Sequence, residues 1–115
     1  MVYMKIKLNE NQVTNQVIDG LKLSGYRVWK IYNGGIPARA IGGKVLFRRK
    51  NDEYRGLPDL LAINPKKGHL LFIECKSSIG RASLEQLDFL SLVSSIRSVR
   101  GCVAKSFDDV TKLLV

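Results

Sequence analysis

Two acidic residues and a lysine stand out by type and spacing. Gly56-Leu57-Pro58-Asp59 is followed, fifteen positions after the aspartate, by Glu74-Cys75-Lys76. Side chains alternate along a strand, so Glu74 and Lys76 share a face while Cys75 points the other way. Taking two carboxylates and an ammonium out of water is costly unless they serve one another or a metal ion. Two carboxylates on one face make a hard oxygen site. With the Cys75 carbonyl and waters, that donor set suits Mg2+ or Mn2+. A lysine beside such an ion orients an attacking water and offsets charge that develops on a phosphate. The chemistry this predicts is phosphodiester hydrolysis. The plainer alternative is a salt bridge at a strand end, with Pro58-Asp59 as a turn. The specific Gly-x-Pro-Asp context, the hairpin geometry and the charge of the chain all weigh against it.

These residues need a hairpin to bring them together. Asp59 to Ile63 reads as a short apolar strand and His69 to Lys76 as a second, with turn chemistry in Asn64-Pro65-Lys66-Lys67-Gly68 between them. The turn lies near the middle of the interval, so pairing sets Asp59 beside Glu74 and Lys76 to within about one residue of register. Upstream, Asn9 reads as an N-cap, Val13, Val17, Ile18 and Leu21 fall at helical spacing, and Gly25 is a stop, giving a helix over roughly Glu10 to Ser24. Tyr26 to Tyr32 reads as a strand, residues 36 to 43 as a small, Gly-rich loop and Lys44 to Arg48 as a strand. The first ten residues alternate loosely, as an edge strand or an ordered arm. Downstream, Ser83 caps a helix whose buried stripe is Leu87, Leu90 and Val93. Gly101 to Lys105 follows as a buried strand. Ser106 with Asp109 forms a capping pattern for a last short helix carrying Val110, Leu113 and Leu114. The order, helix, three or more strands, helix, strand, helix, predicts a small α/β domain with a mixed sheet flanked by helices.

Composition bounds the partner. The chain has 115 residues, 45 % of them hydrophobic, which is enough for one domain with a core. Nineteen Lys+Arg against ten Asp+Glu give a net charge of +9, which points to a polyanion, most often nucleic acid. No apolar run is long enough to span a bilayer, and Met1 to Glu10 lacks a signal-peptide stretch. Cys75 and Cys102 each sit in an apolar run without CxxC spacing, so two buried thiols in a reducing cytoplasm are expected. A single histidine, His69, rules out a His-rich zinc site and reads as structural.

Gly56-Leu57-Pro58-Asp59, Glu74-Cys75-Lys76 and the downstream Gln86 resemble the VRR-NUC domain of the PD-(D/E)XK nuclease superfamily. The resemblance covers nearly the whole chain, with residues 1–115 read as one nuclease domain, and a stand-alone domain of this size is similar to the minimal phage-borne members, which resemble homodimeric Holliday-junction resolvases. It implies a restriction-endonuclease-like core of order α-β-β-β-α-β-α. It implies that Asp59 and Glu74 are metal ligands, with the Cys75 carbonyl as a third, and that Lys76 is the catalytic lysine. Glu10 matches the acidic residue that approaches the metal from the first helix, directly or through water. Gln86 matches the helix glutamine near the active site. Each of the last two has an ordinary alternative. Glu10 also favours the positive end of its helix dipole, and Gln86 completes a capping box with Ser83. The segment between Tyr32 and Gly56 does not align, and no role is carried onto it from the family.

Several basic and aromatic residues complete the reading. Arg48, Arg49, Lys50 and Arg55 form a cluster ahead of the motif. We read it as contacting the nucleic-acid backbone, which gives affinity without base choice, with a solvated loop as the alternative. Arg81, just beyond the catalytic strand, is equally a phosphate ligand or a solvated loop residue. Trp29 and Tyr32 read as core or interface residues rather than base-stacking platforms. The expected activity is a metal-dependent, structure-selective DNA endonuclease. A four-way junction is the expected substrate and a two-fold homodimer the expected assembly, since symmetric cutting needs two sites. Flaps, single strands or duplex ends are alternative substrates. A basic DNA-binding module without activity is the alternative class.

Overall fold

The computed structural model describes residues 7–31, 37–39, 45–47 and 55–115. The first helix, α1 (Glu10–Leu23), begins at Asn9, whose side chain accepts from the Gln12 amide while Gln12 reaches back to the Asn9 amide. This reciprocal box satisfies two of the amides that a helix start leaves open. Val13, Val17 and Leu21, spaced by one turn each, are fully buried on one side. Strand β1 (Arg27–Lys30) follows.

Next comes a two-stranded antiparallel ribbon of β2 (Pro37–Arg39) and β3 (Val45–Phe47), separate from the main sheet. The expected loop over residues 36 to 43 is therefore corrected: residues 37–39 are a strand, paired with the one expected near 44 to 48. Small residues carry little strand preference of their own, and here the pairing partner decides. In the main sheet three strands precede the second helix, within the expected three or more, and the ribbon adds two.

The hairpin is as expected. Strand β4 (Leu60–Asn64) and strand β5 (His69–Cys75) pair antiparallel, Leu60 opposite Ile73 and Asn64 opposite His69. The buried Asn64 side chain accepts from the Lys66 and Lys67 amides and closes the turn. Helix α2 (Leu84–Ser94) then crosses over to β6 (Val99–Ala104), which runs parallel to β5. The four-stranded mixed sheet has the order β1-β4-β5-β6. A last short helix, α3 (Phe107–Thr111), ends the fold.

Register assigns the two faces of the sheet. Leu60, Ala62, Leu71, Ile73, Cys75 and Ala104 belong to the main core together with Val13, Val17, Leu21 and Val110, so α1 and α3 cover this face. The other face carries the row Trp29, Leu61, Phe72, Gly101 and, two residues further along, Asp59, Glu74, Val103. Helix α2 covers only its β5–β6 half. Phe89 stacks edge-on against Phe72 at 5.3 Å, and a Cβ at Gly101 would lie 2.9 Å from Leu90. Among the described residues, no helix is long and apolar enough to cross a membrane.

Three local expectations are corrected. Leu87 is 47 % exposed rather than buried, because the buried side of α2 turns on Leu90 and Val93, with Phe89 against Phe72. Ser106 makes no side-chain cap; Asp109 accepts instead from the Lys105 amide, and Gln16 of α1 takes the Phe107 amide. Cys102 is half-buried rather than buried, while Cys75 is buried; both thiols are free.

Gly56 joins this frame to the motif. Its φ is +84°, and an added Cβ would stand 2.5 Å from the Glu85 carbonyl oxygen at the start of α2. Only glycine combines that backbone with that approach. Gly56→Ala is expected to lower unfolding free energy by about 2 kcal/mol, read as a shift of the urea midpoint at unchanged slope.

Candidate active site

The site lies where β4 begins and β5 ends. One residue beyond the Leu60–Ile73 pair, the antiparallel register brings Asp59 opposite Glu74. The Ile31 amide donates to the Asp59 carbonyl at 2.7 Å, so the β1 side of the sheet also holds this position. Asp59 Oδ2 accepts from the Cys75 amide at 2.8 Å. The aspartate is thus aimed across the strand end by a backbone donor and retains Oδ1 for other partners.

Glu74 is 1 % exposed, and Lys76 places Nζ 3.4 Å from Glu74 Oε1. Glu74 Oε2 is buried and has no hydrogen-bond partner among the described residues. Buried carboxylate oxygens are rarely left so, because each missing bond forfeits hydration without replacement. Burial, then the adjacent Asp59 charge and hydrogen bonding with Asp59, push the Glu74 carboxyl up to about 8, against the smaller pull of Lys76. Without a cation, the carboxyl pair holds a proton near neutral pH.

Cys75 faces the other way, as strand alternation requires. Burial raises its thiol to about 12, and the Thr14 hydroxyl lies within hydrogen-bonding reach of the sulfur. The thiol is neutral and sits in the core, so only the Cys75 backbone is available to the site. Thr14 has no signature in the sequence that would mark it; its place follows from α1 packing across β5.

The remaining candidates are distributed around this cluster. Glu10 is exposed in the first turn of α1, its carbonyl accepting from Thr14. Among the described residues, no group of three or more His, Cys, Asp or Glu side chains gathers as metal ligands. Asp59 and Glu74 therefore meet without Glu10. Gln86 Oε1 accepts from the Ser83 amide at 2.8 Å, and Ser83 Oγ accepts from the Gln86 amide, so the capping box forms. The contact of Gly56 with Glu85 brings this first turn of α2 against the turn that leads to Asp59. Arg81 is exposed in the connection from β5 to α2, and Arg55 is exposed just before Gly56. Arg48, Arg49 and Lys50 lie outside the described residues, as does Tyr32. His69 Nδ1 is 2.7 Å from the Tyr26 hydroxyl, a structural role at the far end of β5. Trp29 is 41 % exposed, so of the two expected places, core or interface, the core is corrected.

The raised Glu74 carboxyl has a pH signature. In the metal-free protein the native state keeps this proton between the group's ordinary value of 4.5 and about 8, where the unfolded chain has released it. Fewer protons on the unfolded state mean that stability falls as pH rises through that window. The melting temperature of the metal-free wild type is expected to drop by roughly 5 °C or more from about pH 5 to about pH 8 relative to Glu74→Gln. Parallel melting curves for the two proteins would overturn the assignment.

Searched against family models, curated proteins and solved structures, the chain has no match.

Proposed function

We propose that this chain is a Mg2+- or Mn2+-dependent DNA endonuclease of the PD-(D/E)XK type, acting at Asp59, Glu74 and Lys76. The observation that carries this reading is Glu74. Its carboxyl is almost completely buried, has an oxygen without a partner, and lies between a second carboxylate and a lysine. An apolar side chain would be cheaper at a strand end whose purpose was only structural.

The donor set fits a hard divalent cation. Asp59 and Glu74 would hold it with the Cys75 carbonyl, and Glu10 would approach through water. When bound, such a cation supplies Lewis-acid activation of a water and of the phosphate. The chain's own residues do the rest. Lys76 orients the attacking water and offsets charge on the phosphate oxygens. The Cys75 amide fixes the Asp59 carboxylate, and Gln86 supports the site from the first turn of α2. Arg55 and Arg81, with Arg48, Arg49 and Lys50, contact the DNA backbone, consistent with a net charge of +9. Selection is by DNA shape, with a four-way junction as the preferred substrate. Two free thiols fit a reducing cytoplasm, that of a host cell if a phage encodes the chain.

A homodimer supplies the second cutting site. The outer side of α2 supports it: Leu84 is 82 % and Leu92 66 % exposed, two large apolar side chains that this helix presents to solvent among polar ones. The wild type is expected to sediment as a dimer, and Leu84→Glu with Leu92→Glu to sediment as a monomer. A wild type that stays monomeric at tens of micromolar removes the dimer from the proposal.

Cleavage is the direct test. A labelled four-way junction and a matched linear duplex are incubated with Mg2+, Mn2+ or EDTA. Paired, metal-dependent cuts in the junction are expected, and Asp59→Ala and Lys76→Ala should each lower the rate at least about 100-fold while Lys76→Ala still binds DNA. Full activity of Lys76→Ala would sink the mechanism. Cutting of both substrates would keep the nuclease and discard junction selectivity. Tight binding without cutting in either metal would favour a DNA-binding module.

A further inference from the structure

We propose that Trp29 and Arg27 form a stacking platform for an unpaired DNA base, on the half of the sheet face that α2 does not cover, where Trp29 is exposed and which leads to Asp59, Glu74 and Lys76. The meaning of that approach for cleavage rests on the nuclease reading; the platform itself does not.

Trp29 is on β1, an edge of the four-stranded sheet, and 41 % exposed. A single exposed apolar residue is ordinary, but Trp29 has a dedicated neighbour. The Arg27 guanidinium lies over the indole, 5.0 Å from the ring centroid. Alternation puts Arg27 and Trp29 on one face, and cross-strand register puts Trp29 in the row of Leu61 and Phe72. Two residues further along the same strands stand Ile31, Asp59 and Glu74. Strand spacing and rise set Trp29 roughly 12 Å from Glu74 across this face. Lys76 shares the face with Glu74, and their side chains are in contact.

The chemistry of the patch selects its occupant. An indole and a guanidinium both present flat π-faces on which any base stacks, and the guanidinium adds a cation for the neighbouring phosphate. Around them, among the described residues, the β1–β4 half of this face carries the half-buried Ile31, just beyond β1, with Leu61 and Ile63, not the broad apolar surface that a second protein copy requires. Duplex DNA hides its base faces in the stack, so this platform engages a strand only where it is unpaired. The substrate class this assigns is DNA with a single-stranded or unstacked segment beside the scissile phosphate.

Trp29 is the only tryptophan in the chain, so it reports on its own contact. In EDTA, where no cleavage occurs, a thymine oligonucleotide is titrated into the full-length wild type and intrinsic emission is followed. Quenching at saturation is expected. Anisotropy with a labelled single strand and a labelled duplex then compares variants. Trp29→Leu should bind the single strand roughly 5- to 100-fold more weakly while its duplex affinity stays within about twofold. Trp29→Phe, which keeps an aromatic face, should recover most of the loss. Unchanged Trp29 emission with the oligonucleotide bound overturns the platform, as does a Trp29→Leu variant that loses single-strand and duplex binding equally. Failure of the nuclease reading looks different: Trp29 is quenched and discriminates strands, yet no metal supports cutting.

Discussion

The buried Glu74 carboxyl is the constraint around which the rest of the structure is arranged. A carboxyl placed at the end of an apolar strand loses its hydration, and here it recovers only part of it from Lys76 and Asp59. Several features exist to hold that unfavourable group. The hairpin register sets Asp59 opposite it, the Cys75 amide fixes the aspartate, and Gly56 lets the preceding turn press against α2. Folding stability for this arrangement comes from elsewhere, from the apolar face beneath it.

That division runs through the whole sheet. One face is a continuous apolar layer closed by α1 and α3, in which Cys75 is a neutral, buried thiol. The opposite face carries Asp59, Glu74 and Lys76. Period-two alternation lets a single strand serve both: Ile73 and Cys75 pack in the core while Glu74, between them, faces the site. The catalytic proposal depends on the rigidity that the apolar face gives to these strand ends.

The partial cover on the second face also matters. Helix α2 closes the β5–β6 half through Phe89, Leu90 and Val93, and its N-terminus reaches the turn before Asp59. The β1–β4 half keeps Trp29 accessible, with Arg27 over its ring. The same strands therefore carry both the proposed stacking platform and the proposed reaction centre.

Local chemistry was legible in the amino-acid sequence. Asn9 with Gln12 and Ser83 with Gln86 announced two helix starts, because a cap needs only residues three apart. Turn residues between two apolar runs, with the odd-even spacing of Asp59, Glu74 and Lys76, were enough to place the carboxylates together on a hairpin. Other features depended on what packs against them. Residues 37–39 became a strand through pairing with 45–47, and Leu87 stayed exposed because α2 rotates to seat Phe89 on Phe72. Ser106 and Asp109 had the letters of a capping box, but the Asp109 carboxylate accepts from the Lys105 amide instead, and Gln16 from α1 takes the Phe107 amide. Trp29 read as a core or interface residue by type, yet which half of a sheet face a helix covers is a long-range outcome. Sequence alone determined which ionisable groups meet at the strand ends and which strands carry them. Tertiary structure decided which were buried, which stayed open and which oxygen was left without a partner, because burial is a property of what surrounds a residue rather than of the residue itself.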